Sequence, residues 1–293
     1  SSFHFSKSRF PMSKHTLPTI SMRSKDSDQA FVRSLHDYGF AALTDHPLDM
    51  TRVHQIYDDW QAFFDSKAKF QFQFNKDTQD GYFGLADAES AKGSAVQDFK
   101  EYFHFYPAGR CPSDLRADLL TYYHAAEDFA KTLLTWVERH SPTDVCDGYL
   151  EPLSSMIDAS QSSLLRILHY PAVRAGTDLP RASAHEDINL LTILPASNGP
   201  GLEILGKNGE WLRIEDRDDQ VLVNTGDMLA EASNGYFPST THRVASENPE
   251  LDADSRMSMP LFLHPRPDVQ LSRRYTAGDY LHERLLELGV IDA

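Results

Sequence analysis

Apolar side chains recur at helical spacing in the first half of the chain and in short extended runs in the second, with the change near residue 161. Phe31, Leu35 and Tyr38 share one helical face within 28–38, and Gly39 follows as a stop. Phe40-Ala41-Ala42-Leu43 reads as a short strand. Val53, Ile56, Tyr57, Trp60, Phe63 and Phe64 form a broad apolar face that predicts a second helix over 51–70. The longest helical pattern covers 114–140, from Leu115 and Leu119 to Leu134 and Val137, and Pro142 ends it. The polar stretch 75–98, with Gly81, Gly84 and Gly93, reads as a loop region with room for short strands.

From residue 161 to about 271 the predicted strands are Leu164–Tyr170, Asn189–Leu194, Gly201–Leu205, Trp211–Ile214, Val221–Asn224, His242–Ala245 and Met257–Leu263. Asn198-Gly199-Pro200-Gly201, Lys207-Asn208-Gly209, Gly226-Asp227 and Asn234-Gly235 supply turns between them. Many short strands without intervening helical patterns imply a sandwich, jelly roll or barrel. Residues 279–289 read as a closing helix, which could dock on its own barrel or on a neighbour's, so the oligomeric state stays open. No Pro/Gly/Ser-rich linker separates the two halves. One domain over 12–293 is therefore expected, with helices over 12–160 buttressing a β-rich core over 161–271, and a closing segment over 272–293. Residues 1–11 precede Met12 and are expected to be an upstream or appended extension.

Composition narrows the functional classes. The formal charge of -15, from 43 acidic and 28 basic residues, opposes general binding to nucleic acid or to an anionic membrane. No apolar run is long enough for a membrane-spanning helix. Two cysteines, Cys111 and Cys146, cannot build a disulfide framework and point to a reducing cytoplasmic setting.

The candidate chemistry begins with His185-Glu186-Asp187, just before the apolar run Ile188–Leu194. In an extended chain residues two apart share a face, so His185 and Asp187 would enter a barrel together while Glu186 points away. A chain with 13 His has roughly one His-x-Asp by chance, so the tripeptide alone says little. Its setting says more: a β-rich block and a later His242 within Thr240-Thr241-His242-Arg243-Val244. Two imidazoles and one carboxylate suit a non-haem Fe(II) with positions left open for O2 and a chelating cosubstrate. Arg256-Met257-Ser258 would place a guanidinium and a hydroxyl on one strand face, a pairing suited to a carboxylate.

These residues resemble the iron/2-oxoglutarate-dependent oxygenases of the isopenicillin N synthase type, over about Leu17 to Leu271. The resemblance includes Leu17-Pro18-Thr19-Ile20, the stretch Leu35–Leu48, Asp98–Phe105 and Leu165–Pro171. It is most specific over Gly201–Ala245, which holds in order Gly-Leu, Gly-x-Trp, Val-Asn-x-Gly-Asp, Ser-Asn-Gly and His-Arg-Val. It implies a double-stranded β-helix (jelly-roll) core, mainly β, with flanking helices. It implies His185, Asp187 and His242 as catalytic metal ligands, and Arg256, Ser258 and Tyr170 as the residues that bind 2-oxoglutarate. It implies a dioxygenase using Fe(II), 2-oxoglutarate and O2 to oxidise a small-molecule substrate, by default through hydroxylation, with release of succinate and CO2. Asn224, Gly226 and Asp227 are expected to shape a turn. One departure stands out: the family's Asn-x-Tyr-Pro is here Leu168-His169-Tyr170-Pro171.

Two other readings remain open at this level. One is an Fe(II) oxidase of the same family that needs no 2-oxoglutarate. The other is a catalytically silent jelly roll that binds a small molecule. Tyr82, Phe83, Phe103, Phe105, Tyr236 and Phe237 are candidate pocket walls, although core packing accounts more readily for most of them, and Arg166 and Arg181 could meet an acidic substrate or equally form surface ion pairs. The pocket rim is expected from the N-terminal segments and loops 77–97, 172–184 and 229–240.

Overall fold

The N-terminal helices form where the apolar stripes are densest. The computed structural model describes residues 15–84, 100–172, 182–197, 199, 201–245 and 255–292. The expectations for residues 1–11, Gly93, Asp98, Arg181, Asn198 and Pro200 lie outside the described residues. Helix α1 (Ser27–Tyr38) buries Phe31, Val32 and Leu35 and ends at Gly39, whose φ of 69° is left-handed. Helix α2 (Met50–Asp65) starts where the Asp49 side chain accepts from the Arg52 amide. It stops five residues before the expected end. Ser66 turns extended, its hydroxyl donates to the Phe63 carbonyl, and a 3-10 segment Lys67–Phe72 continues the chain. Helix α3 (Arg116–Arg139) follows the long predicted stripe, and the short α4 (Thr143–Asp147) begins after Pro142.

Thirteen strands are described: β1 (Thr19–Ser21), β2 (Phe40–Thr44), β3 (Gly81–Phe83), β4 (Glu101–Phe105), β5 (Leu164–Tyr170), β6 (Ala182–His185), β7 (Leu191–Pro195), β8 (Leu202–Leu205), β9 (Trp211–Arg213), β10 (Val221–Thr225), β11 (His242–Val244), β12 (Arg256–Ser258) and β13 (Leu261–Leu263). The larger sheet runs β1-β2-β10-β7-β13-β5-β4-β3, with β12 also on β5, and the smaller runs β6-β11-β8-β9. Every described pair is antiparallel except β1 with β2. Two sheets with these crossovers make the jelly-roll core.

The period-2 alternation of the larger sheet separates two cores. On β5, Leu165 and Ile167 join the core beneath α1–α3, with Phe31, Trp60, Phe64 and Leu133. Leu168 and Tyr170 face the other way, into the barrel, with Phe40, Tyr102, Ile204, Leu212 and Leu222. On β12, Met257 packs beneath the helices, which leaves Arg256 and Ser258 for the barrel face.

One expected strand divides, and β4 and β6 are strands that the pattern did not predict. The expected strand Met257–Leu263 is two strands, because Met259-Pro260 interrupts the pairing and the Pro260 carbonyl accepts from the Arg166 amide instead. β4 lacks an apolar alternation because it is buried on both faces. β6 is too short and too polar to announce itself. The β-rich block also holds a helix, α5 (Asp227–Ala232), whose six residues are too few to show a period. The closing helix α6 spans Ala277–Glu287, with the Thr276 side chain accepting from the Asp279 amide.

Candidate active site

The antiparallel pairing of β6 with β11 sets His185 directly opposite His242, with ring centroids 4.3 Å apart. Asp187 follows β6 by two residues, and its Oδ1 lies 3.6 Å from His185 Nε2 and 3.4 Å from His242 Nε2. The three ligand atoms lie within 4.8 Å of one another. Glu186 points away, exposed, and accepts from the Thr241 hydroxyl at 3.1 Å. The structure thus brings together the three residues that the sequence singled out.

The surroundings prepare each donor atom. His185 Nδ1 lies 2.8 Å from the Ser183 carbonyl, and His242 Nδ1 lies 3.0 Å from the Thr240 carbonyl. A carbonyl can only accept, so both rings carry their proton on Nδ1 and aim the Nε2 lone pair at the shared space. Asp187 Oδ2 accepts from the Thr192 hydroxyl at 2.7 Å and from Asn224 Nδ2 at 2.8 Å, which leaves Oδ1 for the imidazoles' side. Burial alone would raise the Asp187 pKa, but the two imidazoles and the Asn224 donor outweigh it and hold the carboxyl well below its usual range. His242 shifts the opposite way, above its ordinary value: burial works against its charge and the Asp187 carboxylate prevails.

Arg256 stands opposite Tyr170 across the β5–β12 pair, and Ser258 opposite Leu168. The Arg256 guanidinium lies 5.1 Å from the Tyr170 ring centroid. Its Nε donates to the Gly199 carbonyl at 3.0 Å and its Nη2 to the Ser197 hydroxyl at 2.9 Å. Its Nη1 is buried and has no hydrogen-bond partner among the described residues, and no described carboxylate lies within ion-pair distance. A 3%-exposed guanidinium in this state is a ready receptor for an anion. It borders a recess of about 30 Å³ with Ser197, Gly199 and Asp216, and burial raises the Asp216 pKa. Leu168 fills its place in the barrel core.

A cavity of about 630 Å³ opens beside His185 and Asp187. Its walls include His104 and Arg166 from the larger sheet, Lys100 just before β4, and Leu281, Leu285 and Leu288 from the closing segment. The candidate pocket aromatics take the alternative place, in the core: Tyr82, Phe83, Phe103, Phe105 and Phe237 pack in the two cores, and Tyr236 stacks on His36 at 3.9 Å. These rings sit on fully buried strands or beneath the helices, where apolar area is best removed from water. The loop 229–240 does not line this cavity either, though Asp227 and Thr241 beside it do. Asp227 shares the cavity wall with Tyr280 of α6, so its place extends beyond the expected turn. Sequence reasoning also missed Thr192 and Asn224 as supports of Asp187. The Val-Asn-x-Gly-Asp string was the available signal for Asn224.

Comparison with known proteins agrees with this geometry. A model of the 2OG-Fe(II) oxygenase superfamily matches residues 161–265, and a model of the N-terminal region of a non-haem dioxygenase in morphine synthesis matches residues 17–121. A crystal structure of a Shewanella oneidensis chain described as an oxygenase is 48% identical, covers 94% of this chain and 100% of that one, and superposes with a TM-score of 0.86. A Caulobacter crescentus protein assigned to the 2OG-Fe(II) oxygenase family is 30% identical over 93% of this chain and 99% of that one, with a TM-score of 0.76. Proline hydroxylase buaE of Petromyces alliaceus is 28% identical, with 83% of this chain and 84% of that protein covered. Isopenicillin N synthase of a Flavobacterium species is 24% identical, with 90% and 91% covered. Fold, donor set and relatives agree: the chain belongs to the 2OG-Fe(II) oxygenase superfamily, as an Fe(II)- and 2-oxoglutarate-dependent oxygenase of the isopenicillin N synthase type.

Proposed function

We propose that His185, Asp187 and His242 hold the Fe(II), that Arg256, Ser258 and Tyr170 receive the far carboxylate of 2-oxoglutarate, and that the chain hydroxylates a small organic substrate in the adjoining cavity. One observation carries this reading. Three prepared donor atoms converge on one space, while a buried guanidinium on the barrel face keeps a nitrogen without a partner among the described residues. Two nitrogens and one oxygen suit Fe(II) and leave it open to further ligands. When bound, the iron with 2-oxoglutarate and O2 supplies the oxidation and releases succinate and CO2.

The chain's own residues bind, orient and keep the site dry. Thr192 and Asn224 fix the Asp187 carboxylate, and the Ser183 and Thr240 carbonyls fix the two rings. Ser197 and Gly199 hold Arg256 in place, and the Tyr170 ring packs against it. Ile204, Leu222, Tyr102 and Leu168 close the barrel interior and exclude water from around these polar groups. Residues 12–293 are read as one oxygenase domain, because α1–α3 share a core with the larger sheet. Free thiols at Cys111 and Cys146 support a cytoplasmic setting, and the charge of -15 supports partners other than nucleic acid. No described helix is long and apolar enough to cross a membrane.

Anaerobic titration with Fe(II) and 2-oxoglutarate tests the reading through the visible charge-transfer band of the chelated pair. The wild-type protein should develop the band, and His242→Ala and Arg256→Ala should lose it at the same ligand concentrations. Iron binding without any band would instead favour an oxidase that works without 2-oxoglutarate.

A further inference from the structure

The cavity beside the metal ligands takes part of its wall from β13. On that strand Leu261 and Leu263 enter the core beneath the helices. Side chains two apart share a face, so Phe262 and His264 turn the other way, and both line the cavity. Phe262 stands opposite Thr192 of β7, whose hydroxyl holds the Asp187 carboxylate.

The backbone of His264 is fixed on both sides. Its amide donates to the Ser163 hydroxyl at 3.1 Å, and its carbonyl accepts from the Ser160 hydroxyl at 2.6 Å. Pro265 follows and biases it towards an extended conformation. The ring carried on this fixed backbone is unpaired. Its Nδ1 is buried and has no hydrogen-bond partner among the described residues, and its Nε2 has none among them either but is not buried. His264 lines the cavity, so Nε2 is the atom it offers there. Other polar groups of the cavity are engaged within the chain. Arg166 donates to His104 at 3.0 Å, Arg284 pairs with Glu283 at 3.2 Å and with Glu287 at 3.0 Å, and Glu186 takes the Thr241 hydroxyl.

The chemistry of a neutral imidazole then sets what His264 can read. Burial pushes its pKa down to about 4 against the pull of the Asp187 carboxylate, so the ring carries one proton at pH 7. Orphaned N–H groups are rarer in protein interiors than bare acceptors. The proton therefore belongs on Nε2, and the buried Nδ1 keeps its lone pair. His264 meets a ligand as a single N–H donor rather than as a cation. The same cavity offers Leu164, Phe262, Leu281, Leu285 and Leu288 for apolar contact.

We infer that the substrate is a small molecule with a mainly apolar body and an acceptor oxygen of the carbonyl type, which His264 reads through its Nε2–H. This rests on the functional reading given above and adds a specificity-determining residue and a substrate class to that site. A cavity of about 630 Å³ is of the size that holds a drug-sized molecule.

The test uses the full chain loaded anaerobically with Fe(II) and 2-oxoglutarate. It is titrated with phenylalkyl methyl ketones, from phenylacetone to 6-phenylhexan-2-one, and with the alkylbenzenes in which a methylene replaces the carbonyl. Perturbation of the charge-transfer band reports binding. The ratio of ketone to alkylbenzene affinity should fall about tenfold in His264→Leu, the loss of one buried hydrogen bond, and by less in His264→Gln, which keeps a donor. An unchanged ratio, an equal loss for both series, or failure of every ketone to bind the wild-type protein would overturn the inference. So would a Leu variant whose main change is a higher 2-oxoglutarate requirement, because His264 would then serve the cosubstrate. The band before any probe is added reports the underlying reading: its absence in the wild type overturns that reading and this inference with it, whereas a band without the change in ratio overturns this inference alone.

Discussion

Asp187 commits one carboxylate oxygen to the protein and keeps the other for the space between the imidazoles. Its two supports come from adjacent strands, since Thr192 on β7 and Asn224 on β10 are direct cross-strand partners. A hydrogen bond to a charged group is worth about 1.5–3 kcal/mol. Asn224→Ala should therefore weaken Fe(II) binding about 10- to 100-fold while the protein stays folded, and competition titration against a metal-sensitive dye would measure it. His185, Asp187 and His242 were legible in the sequence because strand spacing and an ordered set of motifs surround them. Thr192 was not, because its role exists only once β7 lies beside β10. The place of the aromatics was undecided for a related reason: Tyr82, Phe103 and Phe105 look the same in a sequence whether they face a pocket or a core.

At the scale of elements, the β10–α5 turn is pressed against the segment that carries Asp187. The Gly226 amide donates to the Leu190 carbonyl, the Asp227 amide donates to the Asp187 carbonyl at 2.8 Å, and a Cβ on Gly226 would meet the Asn189 carbonyl oxygen at 2.0 Å. Gly226→Ala must displace one of these backbones, a cost of about 1–3 kcal/mol for inserted volume in a packed site. Its melting temperature should fall by roughly 2–4 °C for each kcal/mol lost, with a parallel loss of metal affinity. Differential scanning calorimetry with and without Mn(II) would check both. Helix α6 marks the limit of what its own sequence could say. Its apolar positions predicted a helix, but which surface they cover depends on a cavity built from distant strands.

Across the whole molecule, the helical layer and the sheets are joined by a buried polar knot as well as by apolar contact. Glu101 lies 3.3 Å from Lys69 and 3.4 Å from His169, and it accepts from the Tyr82 hydroxyl at 3.2 Å. Burial would raise the Glu101 pKa, yet His169 and Lys69 bring it below its ordinary value of 4.5. A lowered folded-state pKa contributes stability above that ordinary value, and the contribution fades as pH falls through the folded value. Glu101→Gln should cost about 3 kcal/mol at pH 7, because it strands the Lys69 ammonium. The variant should also lose less stability than the wild type between pH 5 and pH 3, as urea unfolding at each pH would show. The barrel was legible from the sequence as a run of short strands between turns. The pairing order was not, because β1 and β2 join β10 across most of the chain's length, and a local pattern does not encode such a contact.

The proposed metal ligands divide between the two sheets. His185 and His242 stand on the four-stranded sheet, whereas the carboxylate of Asp187 is anchored by Thr192 and Asn224 of the larger one. An ion gripped by all three acts as a rivet through the barrel wall as well as a reagent. Because it binds the folded chain and not the unfolded one, its occupancy adds directly to the resistance to unfolding. Iron scarcity would then shorten the protein's lifetime along with its output, so the cell's supply of the metal would govern how much enzyme exists as well as how much of it works.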